Sequence, residues 1–171
     1  LEVLENPKTN LASEVISSDG KTLGKYYFND NRTPVTFDEL PTHLVDALIA
    51  TEDIRFYSHS GIDFKRTFGA ALKLGKDGGG STITQQLAKL LFTGEGSRDI
   101  LERLTQKFKE YIIAVRLERH YTKDEIITQY LNLYDFGNNG DGIRSAARIY
   151  FGKEPIDLDI NESAILVGML K

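Results

Sequence analysis

After Pro41, apolar residues recur every three or four positions, the spacing of one face of an α-helix. This pattern predicts helices over about 41–57, 63–74, 82–92, 98–119, 123–133, 142–150 and 160–170, separated by breaks rich in glycine. The chain ahead of Pro41 reads differently. There "SEVIS" and "KTLGKYYF" flank Ser18, Asp19 and Gly20, a composition that predicts a β-hairpin within 13–37. The stretch "KLGKDGGGS" at 73–81 is expected to be a mobile loop, because consecutive glycines bring backbone freedom and no packing side chains. "FGNNGDGI" at 136–143 is expected to be a tight, irregular connection between two helices. The expected fold is mostly α with a small N-terminal β element: a segment 1–40 holding the hairpin, then one continuous helical domain over 41–171.

Polar residues that interrupt this pattern mark candidate chemistry. On the first helix, Val45, Leu48, Ile49 and Glu52 follow helical spacing, so Glu52 continues the apolar stripe. An acid on a core-facing stripe is stripped of water, the setting in which a carboxylate serves as a general base or acid. A carboxylate that caps or pairs with a neighbouring helix is the plainer alternative. Asp53 lies near the same face as Ile49, and His59 reads by default as a structural histidine.

In "GGGSTITQQLAKLLF", residues 78–92, Thr82 and Gln85 have capping-box spacing, which sets a helix start and its unsatisfied N–H groups beside the glycines. Ser81, Gln85 and Lys89 then recur along one face, with Gln86 three positions before Lys89. A solvated helix face is the default reading of that strip. Ser81 and Thr82 follow Gly80 with no intervening Lys, so a nucleotide P-loop is rejected.

In "ERLTQKFKEYIIAVRLER", residues 102–119, an apolar line of Leu104, Phe108, Ile112 and Val115, begun by Leu101, runs opposite a line of Arg103, Lys107, Glu110, Ala114 and Leu117. Two covered sides predict a central helix whose Arg103, Lys107 and Glu110 line a cleft. Buried cations beside an acid are costly unless a ligand neutralises them, so a polyanion such as pyrophosphate suits this face.

Composition narrows the field. At 171 residues the chain is long enough for one compact domain. The net charge of −4 comes from interspersed charges without a long like-charged block, which argues against nucleic acid as a partner. The absence of Cys excludes disulfides, thiolate metal sites and Cys nucleophiles. No run of 18 apolar residues and no export leader is present, so this stretch is expected neither to span a membrane nor to direct its own export, and it reads as cut from a longer chain. From the residues alone, the chemistry is an acid/base reaction on a phosphorylated or polyhydroxylated substrate in a helical cleft.

"TEDIRFYSHSGID" resembles the first motif of the peptidoglycan glycosyltransferase family, glycosyltransferase family 51, found in class A penicillin-binding proteins and monofunctional glycan polymerases. "GGGSTITQQLAKLLF" resembles the second motif almost letter for letter, "QKFKE" the third, "KDEIITQYLN" the fourth, and "GIRSAARIYFGK" with "NESAILVGML" the closing ones, in the family's order. The resemblance implies a lysozyme-like helical fold with a large lobe, a small membrane-associated jaw and a cleft between them. It implies polymerisation of lipid II into β-1,4-linked glycan strands, with inversion at C1 and release of undecaprenyl pyrophosphate. It also implies work at the outer face of a bacterial cytoplasmic membrane, anchored by a transmembrane helix outside this chain. A C-terminal transpeptidase domain in the parent protein stays open, and the inhibitor moenomycin is expected to bind.

Carried over by position, Glu52 resembles the catalytic base, and Lys89 and Lys107 resemble ligands of the leaving pyrophosphate. Ser81, Gln85 and Gln86 match residues that hold sugar and phosphate oxygens, while Asp53, Phe56, His59 and Gly61 match the first motif and shape the acceptor side. Glu110 matches the family's second glutamate, which organises the pyrophosphate site, with a divalent cation (Mg or Mn) as an option there. No cofactor is required by the sequence. The chain departs from the family at Gln106, where Arg is usual, and at Glu102, where the upstream Arg is displaced to Arg103, the candidate substitute. Leu90 stands where Asn is frequent.

"IDFKRTFGAALKL" sets Phe64, Phe68, Ala71 and Leu72 at helical spacing beside Lys65, Arg66 and Lys73, which suits an interfacial helix and core packing equally. Two other functions stay in view. A lysozyme-like lytic enzyme acting on finished peptidoglycan has no need of lysines around a pyrophosphate, and an inactive scaffold would have been marked by loss of either glutamate.

Overall fold

The structure, a computed structural model, describes residues 13–26, 32–67, 80–93 and 99–170. Strands β1 (Ser13–Ile16) and β2 (Thr22–Tyr26) pair antiparallel, with Ser13 opposite Tyr26 and a bulge between Val15 and Ile16. Gly20, at φ +82°, closes the turn between them and donates its N–H to the Ser17 carbonyl at 2.9 Å. The hairpin therefore forms at the turn residues read from the sequence.

The rest is helical: α1 (Thr42–Glu52), α2 (Ile83–Ala88), α3 (Ile100–His120), α4 (Lys123–Leu133), α5 (Ile143–Phe151) and α6 (Ile160–Gly168). The mostly α class is thus observed. α1 ends ahead of its predicted boundary, because the chain turns at Asp53 into a short 3₁₀ turn, Phe56–Ser58. α2 runs on as a π-helical turn over Lys89–Thr93. Residues 64–67 are helical; the remainder of the predicted 63–74 helix, and all but the end of the glycine-rich loop at 73–81, lie outside the described residues. The 136–143 connection is irregular as expected, with Asn138 and Asn139 both at positive φ.

The chain divides into two compact units, Val45–Tyr130 and a second made of Leu1–Leu44 with Leu131–Lys171. In the second, the Asn132 side chain brackets Val35, accepting its N–H and donating to its carbonyl, each at 2.9 Å. Arg144 of α5 pairs with Glu39 and donates to the Pro34 carbonyl at 2.8 Å. His43 donates from Nε2 to the Leu158 carbonyl at 2.8 Å. Gly142, at φ +80°, leaves no room for a side chain, because a Cβ there would lie 2.6 Å from the Asn132 carbonyl oxygen.

In the Val45–Tyr130 unit, α2 packs on α3 and buries Ile83, Leu87 and Ala88 with Ala114 and Leu117. α4 adds the buried Ile126, Ile127 and Tyr130. The 21 residues of α3 start at an Asp99 cap that accepts the Leu101 N–H at 2.7 Å.

One expectation for α3 is overturned. Leu101, Leu104, Phe108 and Ile112 are 75%, 53%, 65% and 59% exposed, so the apolar line read as covered is open, while Glu110, Ala114 and Leu117 are enclosed. Periodicity reports that a helix has an apolar line, but which line the fold covers depends on where α2 lies, and α2 meets the line of Glu110, Ala114 and Leu117.

Candidate active site

Glu52 ends α1 one turn after Leu48, which is fully enclosed. The Glu52 side chain is itself partly buried, so the loss of water expected from the stripe is partial and one side of the carboxylate stays open. Its Oε2 accepts a hydrogen bond from Gln86 Nε2 at 2.8 Å, and Gln86 Oε1 in turn accepts from the Tyr130 hydroxyl at 2.8 Å. The Arg66 guanidinium donates to the Glu52 main-chain carbonyl.

Asp53, the next residue, is 0% exposed. Its Oδ2 lies 2.9 Å from His59 Nε2 and accepts the Ile83 N–H at 3.2 Å, which satisfies a donor left over at the start of α2. Phe56 is buried with its ring edge-on to His59, at 6.1 Å between centroids. These residues stand behind Glu52 as a packed support.

Gly61 joins this loop to two helices. Its φ is +91°, and a Cβ would fall 2.8 Å from the Ala114 carbonyl carbon and oxygen of α3. Its own carbonyl accepts from Thr82 Oγ1 at 2.7 Å. The same Thr82 oxygen accepts the Gln85 N–H at 3.1 Å, and Gln85 Oε1 accepts the Thr82 N–H at 3.2 Å, so the predicted capping box is formed. Closing that box folds Gln85 into the interior at 1% exposed, whereas Lys89 is exposed where the α-helix gives way to the π-helical turn. The solvated strip of Ser81, Gln85 and Lys89 read from spacing is therefore not formed.

Lys107 of α3 donates from Nζ to Ser81 Oγ and to Glu110 Oε2, both at 2.7 Å. Glu110 is nearly enclosed, Lys107 is partly exposed, and Arg103, one turn before Lys107, is exposed. The structure thus brings Ser81, Lys107 and Glu110 together and does not enclose Arg103 with them.

Asp63 is buried with Arg55 at its carboxylate, 2.8 Å from Nε and 2.7 Å from Nη2. Burial pushes its carboxyl up, but the Arg55 guanidinium and the Arg66 backbone N–H outweigh that and hold it below the usual carboxylate value.

Residues 19–171 match the transglycosylase family. The chain belongs to that family. It is 42% identical over 164 residues to penicillin-binding protein 1F of Bacillus subtilis, covering 94% of this chain and 22% of that protein. It is 40% identical over 173 residues to penicillin-binding protein 1A of Escherichia coli, covering 98% of this chain and 20% of the relative. Penicillin-binding protein 1A of Pseudomonas aeruginosa is 38% identical over 176 residues, with 100% and 21% covered. The chain therefore spans about a fifth of the length of these relatives.

Several supporting residues lie outside the set of predicted site residues. Lys123 of α4 donates from Nζ to the His59 carbonyl at 2.8 Å and to Glu118 Oε1 at 2.7 Å, and it sits 4.2 Å from the Phe56 ring centroid. Glu118 also accepts from Thr84 Oγ1 at 2.6 Å. Lys123 and Tyr130 are two turns apart on one face of α4, and a polar pair at that spacing on a helix with buried isoleucines is the available signal.

Glu110 Oε2 is engaged by Lys107, and among the described residues no three His, Asp or Glu side chains converge to hold a metal ion.

Proposed function

We propose that this chain is a peptidoglycan glycosyltransferase that polymerises lipid II, with Glu52 as the base. The observation that carries the proposal is the Glu52 carboxylate held through one oxygen by Gln86, in the same compact unit as the cluster of Ser81, Lys107 and Glu110. Glu52 Oε1 takes the proton from the 4-hydroxyl of the acceptor N-acetylglucosamine. The acceptor oxygen forms its bond to C1 of the N-acetylmuramic acid on the donor chain from the face opposite the leaving group, so α becomes β. The bond from C1 to the phosphate oxygen breaks, and its electron pair leaves on undecaprenyl pyrophosphate.

That leaving group gains charge in the transition state, where cationic donors are most effective. Lys107, oriented by Ser81 and Glu110, and the exposed Lys89 are those donors, with Arg103 as a further cation near the mouth of the site. Ser81 and Gln86 hold the substrate's polar oxygens, whereas the buried Gln85 closes the capping box with Thr82 and supports them from within. Asp53, Phe56, His59 and Gly61 shape the acceptor side from behind, which accords with their burial.

A substrate on a polyprenyl chain brings the enzyme to a bilayer. Exposed Phe64, Leu90 and Phe92, with the open line of Leu104, Phe108 and Ile112, favour contact of the Val45–Tyr130 unit with lipid. No helix among the described residues is long and apolar enough to cross a membrane. The proposal places the enzyme on the outer face of the bacterial cytoplasmic membrane, with a membrane anchor and a transpeptidase domain as candidate companions in the parent protein.

Labelled lipid II in detergent tests the proposal. The chain is expected to make polymer, and Glu52→Gln to lose about 10²–10⁴-fold in rate. Sugar released from mature sacculi without any polymer from lipid II would instead favour the lytic enzyme.

A further inference from the structure

We propose that Tyr130 is a positioning residue for Glu52, acting through Gln86 as a relay of two hydrogen bonds; the relay rests on Glu52 being the base. A carboxylate can only accept hydrogen bonds, so Gln86 must turn its NH₂ towards Glu52 and its carbonyl oxygen towards Tyr130. Tyr130 must then be the donor. The geometry agrees, with both links at 2.8 Å. The hydroxyl belongs to a side chain that is 0% exposed on a helix whose Ile126 and Ile127 are also enclosed, so its ring cannot swing away without opening the core.

Two consequences follow for Glu52. Donation from Tyr130 polarises the Gln86 amide and makes its N–H a stronger donor to the carboxylate. Such a bond holds the carboxylate in one orientation and fixes which oxygen remains for the acceptor hydroxyl. Without the hydroxyl, Gln86 loses the contact that holds its amide plane. The charged neighbours of Glu52 include Arg66, which donates to its main-chain carbonyl, and the Asp53–His59 pair one residue along. α4 also fixes the other end of this loop through Lys123 and the His59 carbonyl, so one helix sets both the base and the histidine behind it.

Tyr130→Phe deletes one oxygen. With labelled lipid II, kcat is expected to fall about tenfold with KM changed less than about twofold, as for loss of a hydrogen bond that matters in the transition state. In a Gln86→Ala background Tyr130→Phe is expected to lower kcat by less than about twofold further, because the relay is already broken there. Unchanged kcat in Tyr130→Phe would overturn the relay, and so would an equal fall in kcat in the two backgrounds, since a loss of packing alone gives that. If Tyr130→Phe melts below the assay temperature, Gln86→Ala takes its place: kcat is expected to fall about tenfold or more, and an unchanged kcat would overturn the relay. Glu52→Gln run alongside separates the two levels. Activity in Glu52→Gln removes the base assignment itself, whereas an inactive Glu52→Gln beside a wild-type-like Tyr130→Phe removes the relay alone.

Discussion

The Asp53 carboxylate lies 2.9 Å from His59 Nε2, and the two side chains are 0% and 7% exposed. The same oxygen accepts the Ile83 N–H at 3.2 Å, so one buried acid ties the end of α1 to the start of α2. Asp53→Ala leaves both donors without that acceptor and is expected to cost about 3 kcal/mol, read by denaturant unfolding. Asp53→Asn keeps an acceptor for Ile83 and should lose less. Equal losses in the two variants would show that the charge, and not the hydrogen bond to α2, is what holds the loop.

At Gly61 two independent constraints coincide. Its φ of +91° strains any side-chain-bearing residue, and the 2.8 Å approach of a Cβ to the Ala114 backbone would push α3 away from the loop. Gly61→Ala is expected to destabilise by about 2 kcal/mol or more in a thermal or denaturant melt. It should also weaken the Thr82 contact, so the loss should shrink in a Thr82→Val background, where that hydrogen bond is already gone.

The difference between what was legible in the sequence and what was not follows a physical line. Local rules were readable: helical periods, the turn at Gly20, the Thr82–Gln85 capping box and the place of Glu52 on a stripe all depend on residues a few positions apart. Contacts made across the chain were not. Asp53 reaches Ile83, Thr84 reaches Glu118, and Gln86 reaches Tyr130, and no spacing rule couples residues thirty or more positions apart. The same limit explains α3, where two lines were visible and the one facing outward was a matter of packing.

That outward line has a measurable role. Leu104 and Phe108 are exposed, so Leu104→Ser with Phe108→Ser is expected to leave the melting transition nearly unchanged, within about 0.5 kcal/mol. If the line meets lipid, the double variant should bind vesicles of anionic phospholipid at least about tenfold more weakly than the unmodified chain, because full burial of each side chain contributes about 1.5–3 kcal/mol and half of that for the pair already reaches the roughly 1.4 kcal/mol of a tenfold change. Equal binding by the two proteins would assign the membrane contact to another surface.

Acid sensitivity should report on the Arg55–Asp63 pair. The Asp63 carboxyl is held below its ordinary value of 3.8, burial opposing the shift and the Arg55 hydrogen bond with the Arg66 backbone N–H driving it. A carboxyl lowered on folding stabilises the folded state when ionised. That contribution is fully present above the ordinary value and fades as the pH falls through the lower folded one. Asp63→Asn keeps an acceptor for the Arg66 N–H but turns an NH₂ towards Arg55 in place of Oδ2, so it loses the charge and both hydrogen bonds from Arg55; at neutral pH it is expected to cost about 1 kcal/mol, a modest figure because the partly exposed Arg55 is screened by water. Unfolding measured from pH 7 downwards should show the stability difference between the unmodified chain and Asp63→Asn closing below about pH 4. A difference that stays constant over that range would mean that the asparagine disturbs packing and that the ion pair contributes nothing.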